Sequence, residues 1–215
     1  MNHISVLLAG LTLSIATALP ASADTLFSQT ATNTSNWLSQ TASGSSGYNQ
    51  VYDNFIIANG GTVTTVEWTG LMFPSFGAVN DFTISFYNDS GSDTPGTMIS
   101  SFNISGDANQ AFVGMHGPFT IFNYTAPVPF VAAPGTQYWI SILADAPSTL
   151  WGWSSATGLD SNMYQAGNDF VLSPIGTDVA FALTNASVPE PSSLTLAGAG
   201  MLALVGFARR RFAGR

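Results

Sequence analysis

The stretch from Val188 to Arg215 limits what this chain can fold into more than any other. It reads V-P-E-P, then an apolar run, then R-R-R-F-A-G-R. Pro189-Glu190-Pro191 stops any preceding strand, because proline has no amide to give to a ladder. Ser192 to Ala208 is seventeen residues without a charge, rich in Leu, Ala and Gly. Roughly 17–25 apolar residues cross a hydrocarbon core as a helix. A helix is also the one form in which a single segment satisfies its own backbone in lipid. The run therefore predicts a transmembrane helix over residues 192–208, with Arg209, Arg210 and Arg211 directly beyond it. Basic residues stay on the cytoplasmic side, so the C-terminus is expected inside and everything before Pro189 outside.

These three parts in this order resemble the PEP-CTERM sorting tail, on the residues Pro189, Glu190, Pro191, the 192–208 span and Arg209–Arg211. The resemblance covers residues 188–215. It implies exosortase as a partner: a membrane-embedded cysteine transpeptidase or protease that cuts near P-E-P and passes its substrate to the cell surface. It also implies a Gram-negative bacterium that makes extracellular polysaccharide, with the inner membrane as a transient station. A plain C-terminal anchor is the alternative.

The other end agrees. Ile4 to Leu19 is apolar but short for a span, and Ala21-Ser22-Ala23 forms an A-x-A cleavage site. Residues 1–23 are thus expected to be a signal peptide, with Ala21 and Ala23 flanking the cut and Asp24 as the mature N-terminus. The n-region has no Lys or Arg, only the amino terminus and His3.

Between these segments lies one domain, residues 24–187, long enough for a real core. All four basic residues, Arg209, Arg210, Arg211 and Arg215, sit in the tail, and of the twelve acidic residues only Glu190 does. The domain therefore holds eleven carboxylates and no Lys or Arg. Nucleic-acid binding depends on cations that displace phosphate counterions, so it is not expected. Anionic lipid and nucleotide binding fail for the same reason. There is no cysteine, which removes thiol catalysis, iron–sulfur chemistry and cysteine-based zinc sites.

Alternation marks the fold as all-β. Asp81–Tyr87 puts Phe82, Ile84 and Phe86 on one face, and Met98–Ile104 does the same with Met98, Phe102 and Ile104. Gln137–Leu143 aligns Tyr138, Ile140 and Ile142, and Asp178–Thr184 aligns Val179, Phe181 and Leu183. Period two with Phe, Ile, Thr and Tyr is the mark of a half-buried strand. Weaker strands are expected at Gln50–Ile57, Thr62–Trp68, Phe119–Tyr124, Thr149–Ser154 and Phe170–Leu172. Asn59-Gly60 is a hairpin signal, while Asn88–Gly96 and Ala133-Pro134-Gly135 are turns. Many short strands with regular turns predict a two-sheet, jelly-roll-like sandwich. Residues 24–48, rich in Ser, Thr, Asn and Gly, are expected to be an edge strand with a long loop or a mobile arm. The stretch from Val51 to Leu183 also resembles β-sandwich ectodomains often joined to this kind of tail. The shared features are Asp53–Phe55, Phe82–Tyr87, Tyr138–Ile142 and Trp151–Trp153, and they imply a fold and not an activity.

Chemistry is sparse. A hydrolase triad needs a base, and His116 is the single candidate, in a turn-like G-M-H-G-P stretch with no G-x-S-x-G elbow in the chain. A glycosidase needs two carboxylates on one cleft, and Glu67, the domain's one Glu, has no partner visible in the sequence. No catalytic residue and no enzyme activity is expected. No cofactor is expected either, with Ca²⁺ as the one candidate. Asp89 and Asp93 lead the candidate ligands, with Asp53 and Asp107 also near turns. Solvated turn residues are the favoured alternative. Trp151-Gly152-Trp153 puts two indoles on one strand face, a platform that could stack on sugar rings. Core packing is the favoured alternative. The function expected is an exported cell-surface or matrix protein with a structural or adhesive role linked to extracellular polysaccharide. A carbohydrate-binding module using Trp151 and Trp153, with or without calcium, is the alternative.

Overall fold

Fourteen strands appear in the computed structural model, which describes residues 23–41, 47–73, 78–157 and 160–186. They are β1 (Asp24–Ser28), β2 (Ala31–Leu38), β3 (Gln50–Ile56), β4 (Gly61–Phe73), β5 (Asp81–Asp89), β6 (Pro95–Ser105) and β7 (Ala111–His116). They continue as β8 (Phe119–Ala132), β9 (Gln137–Asp145), β10 (Leu150–Ala156), β11 (Met163–Ala166), β12 (Leu172–Pro174), β13 (Asp178–Val179) and β14 (Phe181–Asn185). No helix occurs among the described residues, and none there is long and apolar enough to cross a membrane. The expected 192–208 helix lies outside them, as do residues 1–22 of the expected signal peptide.

Two antiparallel sheets form the sandwich. One has six strands in the order β12-β11-β3-β9-β5-β6. The other has eight and is centred on β4, which pairs with β8 along one side. Its other side is shared, with β14 taking Thr65–Trp68 and β10 taking Gly70–Phe73. Period two runs unbroken through β8: Phe122, Tyr124, Ala126, Val128, Phe130 and Ala132 are all buried. Outward of them lie Pro127 and Pro129, beyond the point at Asn123 where β7 stops pairing. Prolines can occupy that stretch because its outer edge has no neighbour needing their amides.

The strands read from alternation form this core. Phe82, Ile84 and Phe86 of β5 and Ile140 and Ile142 of β9 are fully buried, as are Val179 and Leu183 opposite them. Phe55 packs against the rings of Phe27, Phe86, Phe130, Tyr138 and Phe181. A second nest holds Phe82 among Trp68, Tyr124 and Trp151. With no described cation to pair with a carboxylate, this burial is what holds the sheets together.

Three expectations need correction. Asn59-Gly60 does not close a hairpin: β3 belongs to the six-stranded sheet and β4 to the eight-stranded one, so the turn crosses between layers. Gly60 adopts φ 63° and donates to Ile57 O at 3.0 Å, and Gly135 of the second crossing turn donates to the same carbonyl at 3.1 Å. A turn signal sets local backbone and says nothing of which sheet the next strand joins. Met98 does not share a face with Phe102 and Ile104, because the register slips between Phe86/Ser100 and Tyr87/Met98. That extra residue turns Met98 outward, 54 % exposed, opposite Tyr87. Phe170 is not in a strand; it sits in a turn at φ 56°, and the strand begins at Leu172. Of the two alternatives at the start of the domain, the edge strand is the one formed: β1 ends the eight-stranded sheet against β14, and β2 pairs with β10.

Candidate functional site

In a sheet with one solvated face, outward positions are ordinarily small or charged. The outer face of the six-stranded sheet is different. Register places Tyr164 of β11 opposite Tyr52 of β3, and Trp139 of β9 opposite Tyr87 of β5. These side chains alternate with the buried Asp53, Phe55, Ile140 and Phe86, so they point away from the core. The Tyr52 and Tyr87 rings meet edge-on at 5.3 Å, and Trp139 and Tyr164 do so at 5.6 Å. Tyr48 joins from the preceding segment, its ring 5.2 Å from that of Phe170.

Polar groups hold these rings in place. Gln50 Nε2 donates to Ser141 Oγ at 2.9 Å and to Tyr87 Oη at 3.2 Å, while its Oε1 accepts from the Tyr48 hydroxyl. Ser85 and Ser101 hydroxyls pair at 2.9 Å. Burial pushes the Tyr52 phenol well above the ordinary tyrosine range, helped by Tyr87 and Tyr48 beside it. Burial and Tyr87 also raise Tyr48. The Tyr48 and Tyr52 phenols therefore stay neutral hydrogen-bonding groups through the physiological range. Tyr48, Tyr52, Tyr87 and Tyr164 are each half-buried, and Phe170 is 70 % exposed.

Asp89 and Asp93 border this face in the β5–β6 turn. Asp89 Oδ2 accepts from Gly91 N at 2.7 Å, and its Oδ1 accepts from Trp139 Nε1 at 3.1 Å. Asp93 Oδ1 accepts from Gln137 Nε2 at 2.6 Å. Their partners are thus backbone, indole and amide donors. Among the described residues no group of three or more His, Asp or Glu is placed to hold a metal ion. Asp107 lies in the β6–β7 turn, where its carbonyl accepts from Gln110 N at 3.1 Å.

Trp151 and Trp153 point the same way, but inward, and both are fully buried. Trp151 Nε1 donates to Tyr124 Oη at 3.2 Å and Trp153 Nε1 to Ala180 O at 2.8 Å. Neither indole offers a face to a sugar, because β10 lies inside the eight-stranded sheet and its inner side packs on the other layer. Asp53 is not near a turn: it is fully buried in mid-β3, accepting from Asn54 N and Val179 N at 2.8 Å each. Burial lifts it well above the usual carboxylate range, against those amides, and Asp178 adds to the rise. Burial raises Asp178 too, against an amide bond from Ser161 and with Asp160 nearby. Glu67 is exposed on the outer side of β4 and lines a cavity of about 260 Å³ with Gln29, Thr69, Asn123 and Thr125, in which it is the sole carboxylate. His116 ends β7 at an exposed two-residue turn. The sorting residues Pro189, Glu190, Pro191, Arg209, Arg210 and Arg211, and Ala21 of the cleavage site, lie outside the described residues, while Ala23 is exposed at their start.

The tail decides the protein's route. Residues 187–211 match the PEP-CTERM protein-sorting motif. That motif supports recognition of the chain by exosortase. The motif means an exported protein whose C-terminal signal anchors it in the membrane for sorting. The match covers the tail and not the sandwich, and no curated protein matches the chain. What the PEP-CTERM tail delivers must therefore be read from the sandwich itself. The aromatic face is hard to see in the sequence because the apolar phase dominates each alternating strand. The signal was in the other phase: Tyr52 and Asn54 in β3, Ser85 and Tyr87 in β5, Gln137, Trp139 and Ser141 in β9.

Proposed function

We propose that this chain is a surface or matrix protein with a structural or adhesive role in the extracellular polysaccharide layer. Exosortase would hand it there from the inner membrane. The PEP-CTERM match at residues 187–211 carries this reading. Arg209–Arg211 would hold the end of the tail in the cytoplasm, since moving three guanidinium groups through a bilayer is costly. Pro189-Glu190-Pro191 would then stand outside, unable to pair as a strand and open to a protease. A binding role is favoured over catalysis because the exposed Glu67 has no second carboxylate in its cavity. Asp53 and Asp178 are both fully buried.

The test follows the protein in its host, with and without exosortase, and measures the surface-released fraction and its sedimentation with extracellular polysaccharide. Glu190→Ala is expected to leave membrane insertion intact and abolish release, and replacing Arg209–Arg211 by Ser to mis-orient or free the chain. Equal release from all of these would reduce the tail to a plain anchor. Released protein that never sediments with the matrix would end the adhesive reading.

A further inference from the structure

We infer that the outer face of the six-stranded sheet binds an uncharged polysaccharide chain, its sugar rings lying against Tyr164, Tyr52 and Tyr87. The inference rests on the adhesive reading above and names the face and the ligand class.

Three observations lead there. First, the rings lie on neighbouring strands of one sheet: β11 and β3 hold Tyr164 and Tyr52, and β5 holds Tyr87 beyond β9, whose Trp139 is fully buried between them. At about 4.8 Å per strand the backbones of β11 and β5 stand roughly 14 Å apart, and the Tyr52 and Tyr87 rings converge to 5.3 Å between them. Aromatic rings with a polar tip suit a ligand whose rings have apolar faces and hydroxyl edges. Second, buried polar groups beneath the rings hold them in place. Gln50, Ser141 and Tyr87 form one network, and Asn54 Nδ2 donates to Asp160 Oδ2 at 2.8 Å. Preorganised side chains lose little entropy on binding. Third, Phe170 has φ 56°, a conformation costly for a bulky residue. Yet its ring is left mostly in solvent at the end of the row, beside Tyr48.

Charge selects the occupant. The charged groups bordering the face, Asp89, Asp93 and Asp160, are all carboxylates, and the chain's four cations are all in the tail. A uronate polymer, an anionic lipid surface or nucleic acid would meet like charge. A second copy, with its own eleven carboxylates between residues 24 and 188, would do so too. An uncharged glycan meets the rings and hydrogen-bonding groups without that repulsion.

The experiment uses the full chain in detergent, run on native gels containing hydroxyethylcellulose, xyloglucan, galactomannan or, as the charged control, alginate. At least one uncharged chain is expected to retard it, equally at low and high salt. Tyr52→Ala and Tyr87→Ala should each weaken retardation about tenfold or more, as truncation of a central aromatic anchor does. Tyr52→Phe should retain it. Phe170→Ala, in an exposed turn, should weaken it without touching the fold. Retardation by alginate alone, by none of the four, or undiminished in the Tyr52, Tyr87 and Phe170 variants would overturn the inference. If those variants still sediment with native matrix, the adhesive reading stands without this face. If the wild type does not sediment either, that reading fails as well.

Discussion

Gly70 is expected to be the least replaceable small residue in the sandwich. It sits on β4 with Trp153 as its register partner, and the buried Trp151 indole lies over its missing side chain. A Cβ there would stand 2.5 Å from Trp151 Nε1 and 2.7 Å from Cε2 and Cζ2. The indole has nowhere to go. It is fully buried, hydrogen-bonded to Tyr124 and edge-on to Phe82 at 5.2 Å. Overpacking of this kind costs about 1–3 kcal/mol, against which alanine in a strand gains about 0.5–1 kcal/mol over glycine. Gly70→Ala should therefore destabilise by about 1–2 kcal/mol net, or roughly 2–8 °C in Tm for a domain of this size. Gly152→Ala is the matched control. Its Cβ would come 2.6 Å from Asn36 Oδ1, 2.7 Å from Cγ and 3.0 Å from Cβ, but that side chain is half-buried and can rotate most of the contact away, so the loss should be smaller than at Gly70. Trp151→Phe should partly rescue Gly70→Ala, giving a double-mutant loss below the sum of the singles. Urea unfolding followed by tryptophan fluorescence reads all four. Equal losses at Gly70 and Gly152, or none at Gly70, would refute the reasoning.

Two further outcomes follow from the core. Phe82→Ala and Ile140→Ala, both fully buried, should each cost about 2–5 kcal/mol in urea unfolding, and near-neutral shifts for both would mean the inner face was misassigned. Stability should also fall as pH rises. Asp53 and Asp178 have raised pKa values in the folded state. Their contribution is therefore fully present below the unfolded carboxylate value near 4 and is lost as pH climbs through the folded values. Urea midpoints should drop from mildly acidic to mildly alkaline pH, and Asp53→Asn should flatten that slope while costing about 1–3 kcal/mol for a buried donor left without its acceptor. A midpoint that rises over this range would contradict the assignment.

The fold was legible where one face of a strand is strictly apolar. Phe82-Ile84-Phe86 and Ile140-Ile142 announce both strand and inward face, because period two and burial coincide. It was not legible where strands are polar on both sides. β2, ATNTSNWL, has no fully buried residue, so its sequence gives no phase to read; it is a strand because β10 supplies the ladder. Bulges hide in the same way, and the extra residue near Ile99 inverts Met98 without any glycine or proline to mark it. The Trp151–Trp153 spacing correctly says the two indoles share a face but cannot say which face, since both readings need the same alternation. The six-stranded sheet shows the converse. Its outer aromatic residues come from four separated segments, and only register brings Tyr164 to Tyr52 and Trp139 to Tyr87.

One strand links the interior to that outer face. Asp53 points inward from β3 and accepts Val179 N of β13, so a single carboxylate ties the six-stranded sheet to the eight-stranded one. In a domain without Lys or Arg, a buried carboxylate has no cation to lean on, and backbone amides take that place. On either side of Asp53 the chain points outward. Tyr52 lies against Tyr87, and Asn54 is held by Asp160. β3 is thus fixed from inside by an amide-bound acid and from outside by ring and amide contacts. Such a strand can present a tyrosine in one orientation, which a binding surface requires and which an isolated edge strand does not provide.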